Sequence, residues 1–197
     1  MRSAMPFLGV RVPVVRRIVR TAAATDPPDG VQDVLRSATA LWRDAGYREE
    51  RYAATDLVGL RLARGRPEAL PLCTEIIVTG AWWDHVDAVS HLVGATLRAH
   101  PEAVEPIVRG WSVDEDRWLR RTSIICQLDA KDSTDAALLA DVIEANLADR
   151  DFFIRKAIGW ALRQHSRTDP EWVRTFVADH RDTLSPLSYR EAVRRLT

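Results

Sequence analysis

The chain has 197 residues, the length of one generous domain, with 46% hydrophobic and 28% charged residues, a globular balance and not a disordered or fibrous one. Two cysteines, Cys73 and Cys126, are too few for a disulfide framework or a four-ligand zinc site. The formal net charge is zero, with 28 basic and 28 acidic residues, which taken alone argues against a nucleic-acid binder.

Along the chain the charge is uneven. Residues 1–25 carry Arg2, Arg11, Arg16, Arg17 and Arg20 and no acid. No apolar h-region follows these arginines and no apolar run nears the ~20 residues that span a bilayer, so no signal peptide and no membrane association are expected. A soluble, reduced, cytoplasmic protein follows as the expectation. Asp29-Gly30 opens a helix over 31–45, and Pro67 and Pro101 stand at first-turn positions of two more. Acidic residues dominate 101–116, basic ones 117–131, acidic ones 132–149 and basic ones 150–167. Thr134 precedes a helix over 135–147 whose Ala137, Leu138, Val142, Ile143 and Leu147 share one face. Thr168-Asp169-Pro170-Glu171 starts another. Nothing alternates over strand length, and hairpin signals are absent. The fold class is all-α, in a single domain over 1–197.

Trp83, Trp118 and Phe153 recur at a spacing of 35, each near the start of the second helix of a pair. A two-helix unit of about 35–45 residues predicts an α-solenoid of HEAT-like helix pairs. First helices (101–113, 135–147) are acidic and second helices (117–128, 151–165) basic, so a basic concave face suited to a polyanion is expected. An ordinary solvated face with local ion pairs is the alternative. Of the seven tryptophans, Trp42, Trp111 and Trp172 read as core. Trp82 and Trp83 point ~100° apart on a helix, and Trp83 is expected at the groove with Trp82 packed toward the first helices of neighbouring pairs. A shift of 35 per repeat aligns Arg121 with Val86 and Trp160 with Ser90, so Trp83, Asp87, Arg121 and Trp160 fall on one stripe. The alternative is a buried Asp–Arg ion pair between repeats, packed under core tryptophans.

Three segments carry a further signal: Ala81-Trp82-Trp83-Asp84-His85-Val86-Asp87, Trp118-Leu119-Arg120-Arg121-Thr122-Ser123-Ile124, and Asp151 through Arg163 with its Gly159-Trp160 step. With Leu8-Gly9-Val10-Arg11-Val12-Pro13 and Leu184 through Ala192, they make the chain resemble the AlkD-like DNA alkylation repair family, glycosylases built from HEAT-like repeats. The resemblance implies excision of cationic N3- and N7-alkylpurines from double-stranded DNA by a monomer, in the cytoplasm and on the nucleoid when bound. It implies Trp83, Asp87, Arg121 and Trp160 as the functional positions. Arg11, Arg16, Arg120, Arg155, Lys156 and Arg163 are the expected DNA contacts. The family usually has an additional helix before the Leu8-Gly9 segment, and Arg11-Val12 replaces a polar pair that touches the duplex in better-known members.

An alkylpurine is already cationic and leaves without a general acid. Asp87 is then expected to stabilise the sugar oxocarbenium ion by its charge and to place a water by accepting its hydrogen bond. Trp83 and Trp160 would offer π faces to the cationic nucleotide, and Arg121 would hold a phosphate or keep Asp87 ionised and aimed. Phosphate-binding glycine loops and spaced His/Cys ligand sets are missing from the sequence, so no cofactor and no metal are expected. Only Lys131 and Lys156 are available as amines, and no β-lyase step is expected. A non-catalytic HEAT-like module that binds DNA or protein is the second reading.

Overall fold

The computed structural model describes residues 5–196, so Arg2 lies outside the described residues. Eleven α-helices and no strand are found among the described residues. They are α1 (Val12–Thr25), α2 (Val31–Arg43), α3 (Arg48–Val58), α4 (Leu70–Gly80), α5 (Trp83–Ala99), α6 (Pro101–Ser112), α7 (Arg117–Ile125), α8 (Ala136–Glu144), α9 (Phe152–His165), α10 (Pro170–Asp179) and α11 (Pro186–Ala192). Among them no helix is long and apolar enough to cross a membrane.

Helix starts follow local chemistry. Asp116, Asp151 and Asp169 accept from backbone N–H groups two or three residues on, which satisfies donors that a helix leaves orphaned. Two expected starts shift. Pro67 opens a short 3₁₀ turn, Pro67–Ala69, and α4 begins only at Leu70. Thr134 does not cap α8; Asp135 does, donated to by the Leu138 N–H. The carboxylate is the stronger acceptor and stands one residue closer.

The helices form two layers. The second helix of each pair packs on the next second helix, giving the stack α1, α3, α5, α7, α9, α11, while α2, α4, α6 and α8 make the other layer. This is the HEAT-like arrangement, with α1 joining the second-helix layer. Between the layers lies one apolar core that includes Trp42, Ile76, Ile77, Val89, Ile125, Ile143 and Ile158. Trp42 and Trp111 are buried as expected, and Trp172 is half-buried against the core. Cys73 and Cys126 are buried and free, and burial pushes each thiol up to about 12.

Two glycines allow close helix crossings in the stack. A Cβ at Gly94 of α5 would stand 1.9 Å from the Cys126 carbonyl oxygen, and one at Gly159 of α9 would stand 2.5 Å from the Cβ of Glu191. Every step of the stack also carries an ion pair: Arg16–Asp56, Arg48–Asp84, Arg121–Asp87, Arg117–Asp151 and Lys156–Glu191. Exposed pairs of this kind contribute little. The two with buried arginines, Arg48 and Arg121, fix geometry because a buried guanidinium left unpaired is costly.

Candidate active site

The site begins where α4 ends. Ala81 adopts a left-handed conformation (φ 40°) and Trp82 is extended, so the chain reverses and α5 starts at Trp83. Trp83 is 41% exposed. Trp82 is half-buried, and its ring meets Trp118 at 6.3 Å and Phe153 at 5.7 Å between centroids. Those residues belong to α7 and α9, so Trp82 packs on second helices and not on the first helices as the sequence suggested. The physical reason is its place at the helix cap, outside the helical stripe used to orient it.

One turn past Trp83 on α5, Asp87 meets Arg121 of α7 through both oxygens. Arg121 Nε donates to Oδ1 at 2.8 Å and Nη2 to Oδ2 at 2.9 Å. Arg121 Nη1 donates to the Phe153 carbonyl at 2.7 Å, so one guanidinium joins α5, α7 and α9. Arg121 is 4% exposed, and the Asp87 side chain keeps 18%. Of the two roles expected for Arg121, this geometry is that of a buried fork aiming a carboxylate. The register also needs correction. The caps Trp82 and Asp116 stand 34 apart and Asp116 and Asp151 stand 35 apart, so Arg121 aligns with Asp87 itself and not with Val86. A loop one residue shorter shifts the whole stripe.

Trp160 lies on α9 two turns beyond Phe153, half-buried and packed against the core. It shares a face of α9 with Lys156 and Arg163. Both of these bases pair with Glu191 of α11, whose carboxyl is held below its usual range chiefly by the Lys156 hydrogen bond. Arg120 is engaged inside the fold: Nη2 meets Asp149 at 3.1 Å, and Nη1 donates to the carbonyls of Asp114 and Glu115. Arg16 pairs with Asp56 and stays half-exposed. Arg11 is exposed at the cap of α1, and Arg155 is partly exposed; neither has a carboxylate partner among the described residues.

Phe152 is an addition that the sequence reading missed. It is 55% exposed at the first position of α9, as Trp83 is for α5, with Arg117 at the same position of α7. The available signal was the Phe152-Phe153 pair, which, like Trp82-Trp83, cannot turn both rings inward. Asp84 is a second omission. It binds Arg48 and Tyr52 of α3, with Arg48 Nη2 at 2.6 Å and Tyr52 Oη at 2.6 Å. That contact ties the first turn of α5 to the preceding repeat.

The profile of the family described as "DNA alkylation repair enzyme" matches residues 1–196. No match is found among the curated proteins. Among solved structures, a predicted DNA alkylation repair enzyme from Enterococcus faecalis is similar, at 28% identity and a TM-score of 0.85, over 98% of this chain and 89% of that one. With the all-helical stack and a match over nearly its whole length, the chain belongs to the DNA alkylation repair enzyme family.

Proposed function

We propose that the protein is a monofunctional DNA glycosylase that removes cationic N3- and N7-alkylpurines from double-stranded DNA. The observation that carries this reading is Asp87, a carboxylate aimed by a buried guanidinium one turn from an exposed tryptophan. As the glycosidic bond lengthens, its electron pair stays with the purine, which departs neutral, and the positive charge passes to the sugar. Asp87 faces that charge and accepts a proton from the water that adds at C1′. Arg121 acts through Asp87, holding its orientation. Trp83 flanks the nucleotide, and Trp160 is assigned the opposite flank. Arg11 and Arg155, with no carboxylate partner, are the first candidates for phosphate contacts, followed by the half-exposed Arg16 and Lys156. Arg120 and Arg163 would need to exchange an internal partner to join them. The reading assigns the protein to DNA in the cytoplasm, acting as a monomer.

The test is release of free 7-methylguanine or 3-methyladenine from methylated duplex DNA. Asp87→Asn is expected to lower the rate on the order of 100-fold or more, since it removes a charge that acts mainly in the transition state. Unchanged release in that variant would remove the mechanism. Duplex binding with no release from any alkylated substrate would favour a non-catalytic HEAT-like module.

A further inference from the structure

A cleft of about 290 Å³ opens between α1, α3 and α5, beside the face of α5 that bears Asp87. Its walls include Arg16 and Arg20 of α1, Asp56 of α3, Arg64 from the turn after α3, and His91 of α5. Two of these side chains are already engaged within the fold: Arg16 Nε lies 3.1 Å from Asp56, and His91 Nδ1 lies 2.7 Å from Asp129. Arg20 and Arg64 are not. Both are exposed, and neither has a carboxylate partner among the described residues. Two guanidiniums from separate elements thus converge on one concavity that holds a single, already paired acid. An anion bound there would meet donors from two sides.

The place of the cleft along α5 says which anion. Trp83, Asp87 and His91 succeed one another at four-residue steps, down one face of the helix. Four residues advance an α-helix by about 6 Å, and a DNA strand rises about 3.4 Å per nucleotide. A strand that brings a sugar to Asp87 and follows α5 therefore carries a phosphodiester past the cleft one or two nucleotides away. We propose that Arg20 and Arg64 together hold that backbone phosphate of the damaged strand, which fixes the strand's register against Asp87. This rests on the reading of Asp87 as the residue that faces the reacting sugar.

The experiment is a phosphate scan read by binding. Duplexes carry one N7-alkylguanine and a single neutral methylphosphonate, moved through the positions flanking the lesion on either strand. Affinities are measured for the wild-type chain and for Arg20→Ala/Arg64→Ala. The double variant is expected to weaken binding of the all-phosphate duplex by about tenfold or more and to lower the log–log salt slope by about one unit, because the two arginines share one phosphate. One methylphosphonate, one or two nucleotides from the lesion on the damaged strand, should weaken the wild-type chain and leave the double variant unaffected. Arg20→Lys/Arg64→Lys should restore part of the affinity, and unchanged circular dichroism controls for folding. Equal losses at every position, coupling only on the opposite strand, or a slope change of two units would overturn the proposal. So would stabilisation by inorganic phosphate that depends on Arg20 and Arg64 without coupling to any DNA position, which would mark a site for a free anion. Because the readout is affinity, coupling at the expected phosphate without base release would fail the glycosylase reading and leave this site standing.

Discussion

Asp84 and Asp87 stand one turn apart on α5, each against a buried arginine of a neighbouring second helix, and they are finished differently. Asp84 is saturated. Its Oδ1 accepts from Arg48 Nη2 and the His85 N–H, and its Oδ2 from Tyr52 Oη and Arg48 Nε. A carboxylate offers about four acceptor sites, and here each is taken. Asp87 uses half of them, one per oxygen, both on Arg121. The same charge pair is structural where every lone pair is occupied. On the proposed reading it serves chemistry where two remain, one turn from an exposed ring.

Removing each carboxylate is the harshest way to break that contrast. Asp84→Ala takes from the buried Arg48 its carboxylate and should cost on the order of 3–5 kcal/mol in a denaturant melt. Asp87→Asn keeps the shape and leaves Arg121 its bond to the Phe153 carbonyl, so its loss of stability should be clearly smaller while its loss of activity is the large one. Equal destabilisation by the two variants would erase the distinction.

Acid probes the saturated side through the neighbouring His85. Burial between Trp42 and Tyr52 lowers His85 to about 4, so it is neutral in the folded protein. Between the ordinary histidine value near 6.5 and about 4, the unfolded chain binds a proton that the folded chain does not. Stability should then fall as pH drops through that window, by at most about 3 kcal/mol. Burial would raise the Asp84 carboxyl, but its bonds to Tyr52 and Arg48 hold it below the usual range. Its own contribution is therefore lost only at still lower pH. Urea melts at pH 7 and 4.5 measure the effect, and His85→Leu should show a smaller fall, since the buried His165, also lowered by burial, still titrates in that variant; an equal slope in that variant would assign the loss elsewhere.

The two tryptophans sharpen the contrast at intermediate size. Trp82→Ala removes a ring packed on Trp118 and Phe153 and should cost about 2–3 kcal/mol, somewhat under a fully buried aromatic truncation. Trp83→Ala should cost under about 1 kcal/mol as a surface change, yet lower excision and DNA affinity. Tyr52→Phe should act on stability alone. It leaves one Asp84 lone pair without its donor, at about 1–2 kcal/mol, with turnover at saturating substrate unchanged.

Much of this was legible in the amino-acid sequence because it depends on neighbours a few residues away. Helical period, aspartate caps and proline starts specify the α-helices, and the aromatics near the heads of α5, α7 and α9 give the repeat. The Trp-Trp-Asp and Arg-Arg segments mark the residues of the candidate site. Several things were settled only by tertiary packing. The step between α5 and α7 is 34 residues and not 35, because loop length is invisible to periodicity, and that one residue sets Arg121 against Asp87. The direction of Trp82 follows from its place at a helix cap. Which basic side chains are free depends on distant carboxylates: Asp149 and Glu191 occupy Arg120, Lys156 and Arg163, while Arg20 and Arg64 are left facing a cleft. Residue type fixes what a side chain can bond. Only the stacking of helices far apart in sequence decides which of those bonds are already made.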